Sequence, residues 1–202
     1  MPICGDEQKN ISRKIVVCGD YQCGKTSLLN VMTTGYFGQL YEPAVFDCHY
    51  RDLTIDGREV GVSMVDTKST DEYERSRGVH FSNAHVIMMC FAVDNRESLD
   101  NITYRWLDIV QDHCPNVKIV LVALKCDLRD DEATILKLQQ CNQHPVLYEE
   151  GLATARSINA VRYLECSAKH NRGVNECFEQ AAKVAMSVKS DRDKKKNECT
   201  IL

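Results

Sequence analysis

One stretch of eight residues, GDYQCGKT at 19–26, has the glycine and lysine spacing of a loop that binds phosphate groups. It follows an apolar run and opens a helical pattern, so backbone N–H groups and a helix N-terminus would close around phosphate oxygens. Lys25 supplies a positive charge for β and γ phosphates, and Thr26 supplies a hydroxyl for Mg²⁺. The predicted phosphate-binding residues are Gly19, Asp20, Tyr21, Gln22, Cys23, Gly24, Lys25, Thr26 and Ser27.

Groups that follow later strands predict the rest of a nucleotide site. Asp66 ends a strand pattern, where its carboxylate is placed to hold Mg²⁺ through water. Asp127 follows another strand, where nucleotides bind in such sheets, and a carboxylate accepts hydrogen bonds from both N1–H and the amino group of guanine. The backbone N–H of Ala168, in CSAKH, is placed to donate to guanine O6. Together they favour GTP or GDP, with Mg²⁺, as the ligand.

Alternating apolar runs and helical patterns must position these groups. Strand patterns occur at 14–19, at 85–93, at 118–124, at 162–166 and twice within 49–66, where Asp56-Gly57 is a hairpin turn signal. Helical patterns occur at 25–32, from Leu99 to Val110, near 149–158 and near 173–188. This order predicts an α/β fold with a doubly wound, mostly parallel six-stranded sheet and helices on both faces.

Length and composition exclude several classes of protein. A chain of 202 residues with 44% hydrophobic residues predicts one well-buried domain. Its net charge of −4 argues against a nucleic-acid partner. No apolar run is long enough to span a membrane, and the first ten residues lack the apolar region of a secretory signal. The eleven cysteines therefore predict a reducing compartment, with Cys18, Cys90 and Cys166 as small buried hydrophobic residues.

These residues resemble the Ras superfamily and, within it, the Rho family, over essentially the whole chain. The segments CPNVKIVLVALKCDLRDD (114–131) and YLECSAKHNRGV (163–174) look very much like Rho sequence. The form VALKCDLRDD is most similar to a fungal Rho branch associated with polarised growth and secretion, and residues 130–144 are similar to the Rho insert helix. The resemblance implies the P-loop small G-protein fold over 13–188, a flexible tail at 1–12 and a polybasic, prenylated tail at 189–202.

The resemblance also implies roles outside the phosphate loop. Phe37 would stack edge-on against guanine, and Lys125 would lie against its face, beside further nucleotide contacts from Leu128, Ser167 and Lys169. Residues 41–50 and 66–77 would be the switches that bind effector proteins. The candidate switch residues are Tyr41, Pro43, Ala44, Val45, Phe46, Lys68, Ser69 and Thr70.

One departure from the family concerns the base. The family has Asn in its N-K-x-D motif where this chain has Leu124. A leucine side chain cannot tie the loops together or contact the base N7 by hydrogen bonds. We therefore expect a lower nucleotide affinity with an unchanged preference for guanine, because Asp127 remains.

Four further departures fall where GTP would be hydrolysed. Tyr21 replaces a glycine and crowds both the γ-phosphate and the path of an arginine finger, and Ala44 lacks the switch I hydroxyl that completes Mg²⁺ coordination. Ser69 replaces a glycine whose N–H meets the γ-phosphate, and Thr70 replaces the glutamine that orients the attacking water. No catalytic residue is therefore assigned. The GTPase-deficient Rnd branch has a similar loop and an altered switch II, but it keeps the switch I threonine.

The last residues predict attachment to a membrane. The chain ends in Cys199-Thr200-Ile201-Leu202, a C-a-a-X box in which leucine favours geranylgeranylation of Cys199. Five basic residues lie within 189–197, and they include Lys194, Lys195 and Lys196, which supply the second signal for stable anchoring. The expected location is the cytoplasmic face of the plasma membrane, with a cytosolic pool.

The predicted function is that of a monomeric Rho-type signalling protein that binds GTP with little hydrolysis and acts in actin organisation, polarity or exocytosis. Its implied partners are effectors, exchange factors and a GDP-dissociation inhibitor. An ordinary hydrolysing Rho GTPase stays open, and so does a non-switching interaction module that binds little nucleotide. A P-loop ATPase or kinase is disfavoured by Asp127 and the SAK motif.

Overall fold

A computed structural model of the chain describes residues 11–38, 48–67 and 74–188, which contain six strands in one sheet. The strands are β1 (Ile11–Gly19), β2 (Cys48–Ile55), β3 (Arg58–Asp66), β4 (Val86–Ala92), β5 (Lys118–Leu124) and β6 (Arg162–Glu165). Their order in the sheet is β2-β3-β1-β4-β5-β6, and β2–β3 is the antiparallel pair among these described strands. The predicted α/β fold with a mostly parallel six-stranded sheet is confirmed.

Helices cover both faces of the sheet. The described α-helices are α1 (Lys25–Thr34), α2 (Glu74–Phe81), α3 (Arg96–Asn101), α4 (Leu107–His113), α5 (Glu132–Gln139), α6 (Tyr148–Ser157) and α7 (Val174–Met186). A π-helical turn (Ile102–Trp106) joins α3 to α4, and a 3₁₀ turn (Cys126–Arg129) follows β5. The helix α5 lies within the predicted insert, and the Asp131 carboxylate caps it by accepting from the Thr134 backbone N–H at 2.9 Å.

The core consists of two apolar layers, one on each face of the sheet. Alternate residues of a strand point to opposite faces. In β5, Val120 lies in the same buried layer as Phe178 of α7, whereas Leu121 lies in the other layer with Trp106. Both layers therefore depend on strands that are buried on both sides, as their continuous apolar sequences predict.

The cysteines predicted to be buried do lie in the core. Cys18 and Cys90 are fully buried, and Cys166 is 1% exposed. Burial raises the pKa of the Cys90 thiol well above its ordinary value, so this side chain stays a neutral, apolar thiol.

The first strand begins earlier than its apolar pattern indicates. Ile11 pairs with Val60 of β3 and packs against the core layer that contains α1 and α7. Residues 11 and 12, which we assigned to the tail, therefore belong to the sheet. The rest of that segment, residues 1–10, and the predicted lipidated tail at 189–202 lie outside the described residues.

Sheet topology brings the predicted site residues to one edge. The strand order reverses at β1, which lies between β3 and β4. Because β3, β1, β4, β5 and β6 are parallel to one another, their carboxyl ends lie along the same edge of the sheet. Ligands in open α/β sheets bind in the crevice at such a reversal.

Hydrogen bonds from Arg129 link the turn after β5 to the strand β6. Its NH1 and NH2 groups donate to the two carboxylate oxygens of Glu165, each at 2.7 Å, and its Nε donates to the Val146 carbonyl at 3.0 Å. The Tyr163 hydroxyl donates to the same carboxylate at 2.6 Å. Burial alone would raise the pKa of Glu165, but the hydrogen bonds from Arg129 and Tyr163 outweigh it and hold the pKa below its ordinary value.

We predict that Arg129→Met lowers the free energy of unfolding at pH 7 by about 2 kcal/mol, because it leaves a half-buried carboxylate without its bidentate partner. The matched control is Arg96→Met, since the Arg96 side chain is 41% exposed in its pair with Glu150. This change should cost less than about 1 kcal/mol. Urea denaturation in excess nucleotide measures both effects.

The effect of Arg129→Met should also depend on pH. The folded-state pKa of Glu165 lies below its unfolded value. The contribution of the pair is therefore complete above the unfolded pKa and is lost as the pH falls through the folded-state pKa. The difference between wild type and variant should narrow in acid. An Arg129→Met effect no larger than that of Arg96→Met would contradict this account.

Candidate nucleotide-binding site

The phosphate loop surrounds a buried lysine. Lys25 is 7% exposed, and its ammonium donates to the carbonyl oxygens of Gly19 and Asp20, both at 2.8 Å. Within residues 11–38, 48–67 and 74–188, this ammonium has no carboxylate at ion-pairing distance. A buried charge whose partners are neutral carbonyl groups is favourable only when an anion joins it. The loop is therefore suited to an anionic ligand.

Two glycines allow the loop to take this shape. A Cβ on Gly19 would overlap the carbonyl oxygen of Cys90, because β1 and β4 approach closely there. Gly24 has φ +107°, a left-handed conformation that side chains disfavour, and it directly precedes α1. The N-terminus of α1 thus faces the loop, and its free N–H groups add to the attraction for an anion.

The predicted metal residues lie next to each other. The Thr26 hydroxyl donates to Asp66 Oδ2 at 2.5 Å, and Asp66 is 8% exposed at the end of β3. Thr67 fixes the chain after this strand, because its backbone N–H and hydroxyl both donate to the Val17 carbonyl, at 3.1 and 2.9 Å. A hydroxyl and a carboxylate are hard oxygen ligands of the kind that Mg²⁺ prefers. The residues present therefore fit Mg²⁺.

The two predicted base-reading loops are joined by hydrogen bonds. The Ser167 hydroxyl donates to Asp127 Oδ1 at 2.5 Å, and the Cys126 backbone N–H donates to the Cys166 carbonyl at 3.1 Å. Asp127 lies on the 3₁₀ turn that Arg129 holds in place. The structure thus brings the loop that contains Asp127 together with the loop that contains Ala168.

Leu124 lies close to the phosphate loop. It is 3% exposed, and its Cδ1 lies 3.7 Å from the position that a Cβ on Gly24 would take. Leu124 also belongs to the same buried apolar layer as Cys23 of that loop. Its side chain makes no hydrogen bond, so the lower nucleotide affinity expected from the loss of asparagine stays a prediction.

Lys125 and Phe37 are the two side chains predicted to contact the base from either side. Lys125 has a left-handed backbone with φ +57°, and its ammonium pairs with Asp94 at 3.2 Å. Phe37 lies shortly after α1 and is half-buried against the core. Neither geometry conflicts with the predicted contact to a base. That contact stays a prediction.

The remaining predicted nucleotide residues differ in exposure. Tyr21 is 63% exposed, and Gln22 beside it is also exposed and has φ +60°. Cys23 is 2% exposed, and burial raises the pKa of its thiol. Ala168 and Leu128 pack in part against the two core layers, while Lys169 is exposed and Ser27 is half-buried.

Two side chains in this region were not predicted as part of the site. Asn101 and Trp106 both donate to the carboxylate of Asp20. The sequence pattern places Trp106 on the apolar face of a helix. A buried indole N–H nearly always requires an acceptor, and that rule is the signal that would have indicated a polar contact.

The predicted switch and lipidation residues lie outside the described parts of the chain. They are Tyr41, Pro43, Ala44, Val45, Phe46, Lys68, Ser69, Thr70 and Cys199. Within the described parts, no helix is both long enough and apolar enough to cross a membrane.

The site combines a glycine-containing loop, between a central parallel strand and a helix, with a buried lysine and an adjacent hydroxyl–carboxylate pair. Together these features define a P-loop nucleotide-binding protein. Comparison with known families narrows this class, because the Ras family model matches residues 14–187. The chain is 53% identical over 184 residues to GTP-binding protein rho3 of Schizosaccharomyces pombe, which covers 91% of the chain and 87% of that relative. It is 44% identical over 231 residues to GTP-binding protein RHO3 of Saccharomyces cerevisiae, with 99% of both chains covered.

A third relative, GTP-binding protein rho1 of Schizosaccharomyces pombe, is 46% identical over 198 residues, which cover 95% of the chain and 98% of that relative. The chain therefore belongs to the Ras family of small GTPases, in the fungal Rho branch. Ras-family GTPases bind GTP or GDP together with Mg²⁺.

We predict that Ser167→Ala speeds the release of a fluorescent GDP analogue about tenfold, because Asp127 loses the hydrogen bond that orients it. The matched control is Ser187→Ala, which removes an exposed serine hydroxyl whose hydrogen bond goes to the Val184 carbonyl. The control should release nucleotide at the wild-type rate. Stopped-flow displacement by excess GDP measures both rates, and an unchanged rate in Ser167→Ala would show that this hydrogen bond does not support binding.

Proposed function

We propose that this protein is a membrane-anchored Rho-type signalling protein that binds GTP with Mg²⁺ and hydrolyses it poorly. The proposal depends on the phosphate loop, where two carbonyl oxygens accept hydrogen bonds from the buried Lys25. Within the same loop, the side chain of Tyr21 is 63% exposed. The first feature supports the binding of phosphates. The second supports poor hydrolysis, because family members have glycine at this position.

The nucleotide would be bound by groups from three loops at one edge of the sheet. Lys25 and the backbone N–H groups of residues 19–27 would contact the phosphates. Asp127, oriented by Ser167, would accept from N1–H and the amino group of guanine, and the backbone N–H of Ala168 would donate to O6. Guanine would be preferred to adenine, because adenine presents an acceptor at N1, where a carboxylate needs a donor.

Mg²⁺ would be held by Thr26 and, through water, by Asp66. When bound, the ion would supply neutralisation of the negative charge on the phosphates. The 2.5 Å hydrogen bond between the Thr26 hydroxyl and Asp66 keeps these two oxygen ligands next to each other.

Hydrolysis would be slow because the residues that assist it in family members are replaced. Thr70 has no carboxamide with which to orient a water molecule, and its side chain is shorter than that of glutamine. Tyr21 would obstruct an arginine finger, a contribution worth about 10³–10⁵ in rate. Lys25, Thr26, Asp66 and Asp127, which would bind GTP and Mg²⁺, are thus retained, while the residues that promote cleavage in family members are replaced.

The nucleotide-dependent switch would also be weakened. A ligand shifts a conformational equilibrium only as far as it binds one state more tightly than the other. Ala44 cannot offer a hydroxyl to Mg²⁺, and the Cβ of Ser69 restricts the approach of its N–H to the γ-phosphate. We therefore propose a protein whose surface changes less between GDP and GTP than that of its relatives.

The membrane anchor would be a geranylgeranyl group on Cys199 together with the basic residues of 189–197. A single lipid chain binds a membrane only marginally, and a polybasic segment supplies the second signal. We propose the cytoplasmic face of the plasma membrane, with a cytosolic pool, as the location. Effectors for actin organisation, polarity or exocytosis would bind through 41–50 and 66–77, and exchange factors and a GDP-dissociation inhibitor would act on the same protein.

Single-turnover hydrolysis of preloaded GTP tests the proposal. Wild type should hydrolyse GTP more slowly than about 10⁻⁴ s⁻¹, the scale of unassisted Ras. The double variant Tyr21→Gly/Thr70→Gln should be at least about tenfold faster, because it restores the residue that positions water and removes the obstruction. Recovery should be partial, since Ala44 and Ser69 remain.

The matched control for this experiment is Tyr148→Ala/Thr54→Gln, outside both switch segments, where Tyr148 on α6 is 47% exposed and Thr54 on the edge strand β2 is also exposed. It repeats similar changes away from the site and should leave the rate unchanged. Rapid hydrolysis by wild type would restore an ordinary GTPase cycle. A protein that takes up no GTP at all would instead favour an interaction module that does not switch.

A further inference from the structure

The carboxylate of Asp20, in the phosphate loop, is held by two neutral donors from one helical segment. The Asn101 side-chain amide donates to Oδ2 at 2.7 Å, and the Trp106 indole N–H donates to Oδ1 at 2.7 Å. Each carboxylate oxygen thus has one short hydrogen bond. Trp106 is fully buried, so its donor is fixed within the core.

The π-helical turn explains how one segment reaches both oxygens. Asn101 ends α3, and Trp106 ends the π turn, five residues later. In a regular α-helix, side chains five residues apart point about 140° away from each other around the axis. The wider π turn, closed by the Leu107 N–H on the Ile102 carbonyl, brings residues five apart back towards one side.

The same residue also contacts the lysine that would bind phosphate. The Asp20 carbonyl accepts from the Lys25 ammonium at 2.8 Å, while its carboxylate is bound to Asn101 and Trp106. A carboxylate in the same loop is a strong competitor for an ammonium group. Because two neutral donors occupy the Asp20 oxygens, the positive charge of Lys25 remains available to a ligand.

We propose that Asn101 and Trp106 are positioning residues of the phosphate site. They hold the Asp20 carboxylate away from Lys25 and fix the Asp20 carbonyl that orients the lysine. The inference rests on the proposed function, because it assumes that the loop binds the phosphates of a guanine nucleotide. If the inference is correct, nucleotide binding also depends on the π turn between α3 and α4.

Nucleotide release tests this inference. The change Trp106→Phe removes the N–H donor and keeps an aromatic ring, and Asn101→Ala removes the other donor at a half-buried position. Each variant should release a fluorescent GDP analogue about tenfold faster than wild type, because a hydrogen bond to a charged group is lost. In an Asp20→Ala background, neither change should speed release further, since both act through Asp20.

A control separates positioning from general loss of stability. Phe91→Leu alters a fully buried aromatic residue in the same core layer as Trp106. It should lower the melting temperature and leave the release rate unchanged. If Trp106→Phe fails to fold, as judged by circular dichroism, Asn101→Ala alone decides the result.

Release at the wild-type rate in the variants that fold would overturn the inference, as would an equal acceleration with and without Asp20. Either result, with wild type still binding guanine nucleotide, would leave the proposed function intact. A wild-type protein that binds no guanine nucleotide would overturn both.

Discussion

Lys25 is 7% exposed, and the hydrogen-bond partners of its ammonium in the described chain are carbonyl oxygens and a thiol. A charge in this position is costly to bury unless an anion accompanies it. The rest of the fold supports the lysine. The strand β1 places the loop at the reversal of the sheet, and two glycines allow the loop to close. The N-terminus of α1 adds its own attraction for negative charge.

The residues that would bind a nucleotide and those that would cut it have changed to different extents. Lys25, Thr26, Asp66 and Asp127 retain the chemistry that binding needs, and hydrogen bonds hold all four of these side chains in place. Apart from Leu124 in the base-reading loop, the departures identified in the sequence fall at positions where family members contact the γ-phosphate and the attacking water. Binding and hydrolysis depend on separate groups in this class, so one can persist when the other is lost.

Much of the fold follows from short-range patterns. The run 118–124 predicts β5 residue for residue, and Asp56-Gly57 marks the turn between β2 and β3. The helix α2 has no apolar stripe that would indicate it, and Val79 within it is 70% exposed. The early start of β1 depends on pairing between Ile11 and Val60, which are far apart in sequence.

The site was predictable where backbone geometry dictates residue type, as in the phosphate loop. It was less predictable where tertiary packing determines which groups a side chain contacts. Leu124 lies in the same buried layer as Cys23 of the phosphate loop, and Trp106 combines an apolar ring in the core with a polar contact to Asp20. Hydrophobic periodicity cannot distinguish a π turn from an α-helix here, because both place Ile102 and Trp106 in the core.

The nucleotide that the full-length protein carries when it is isolated from cells tests the central claim most directly. The protein would be purified rapidly in Mg²⁺, denatured, and its released nucleotide separated by ion-exchange chromatography. Our account predicts about one guanine nucleotide per chain, most of it GTP. A protein that carries mainly GDP would contradict poor hydrolysis, and one that carries adenine nucleotide would contradict the assignment of the base-reading loops.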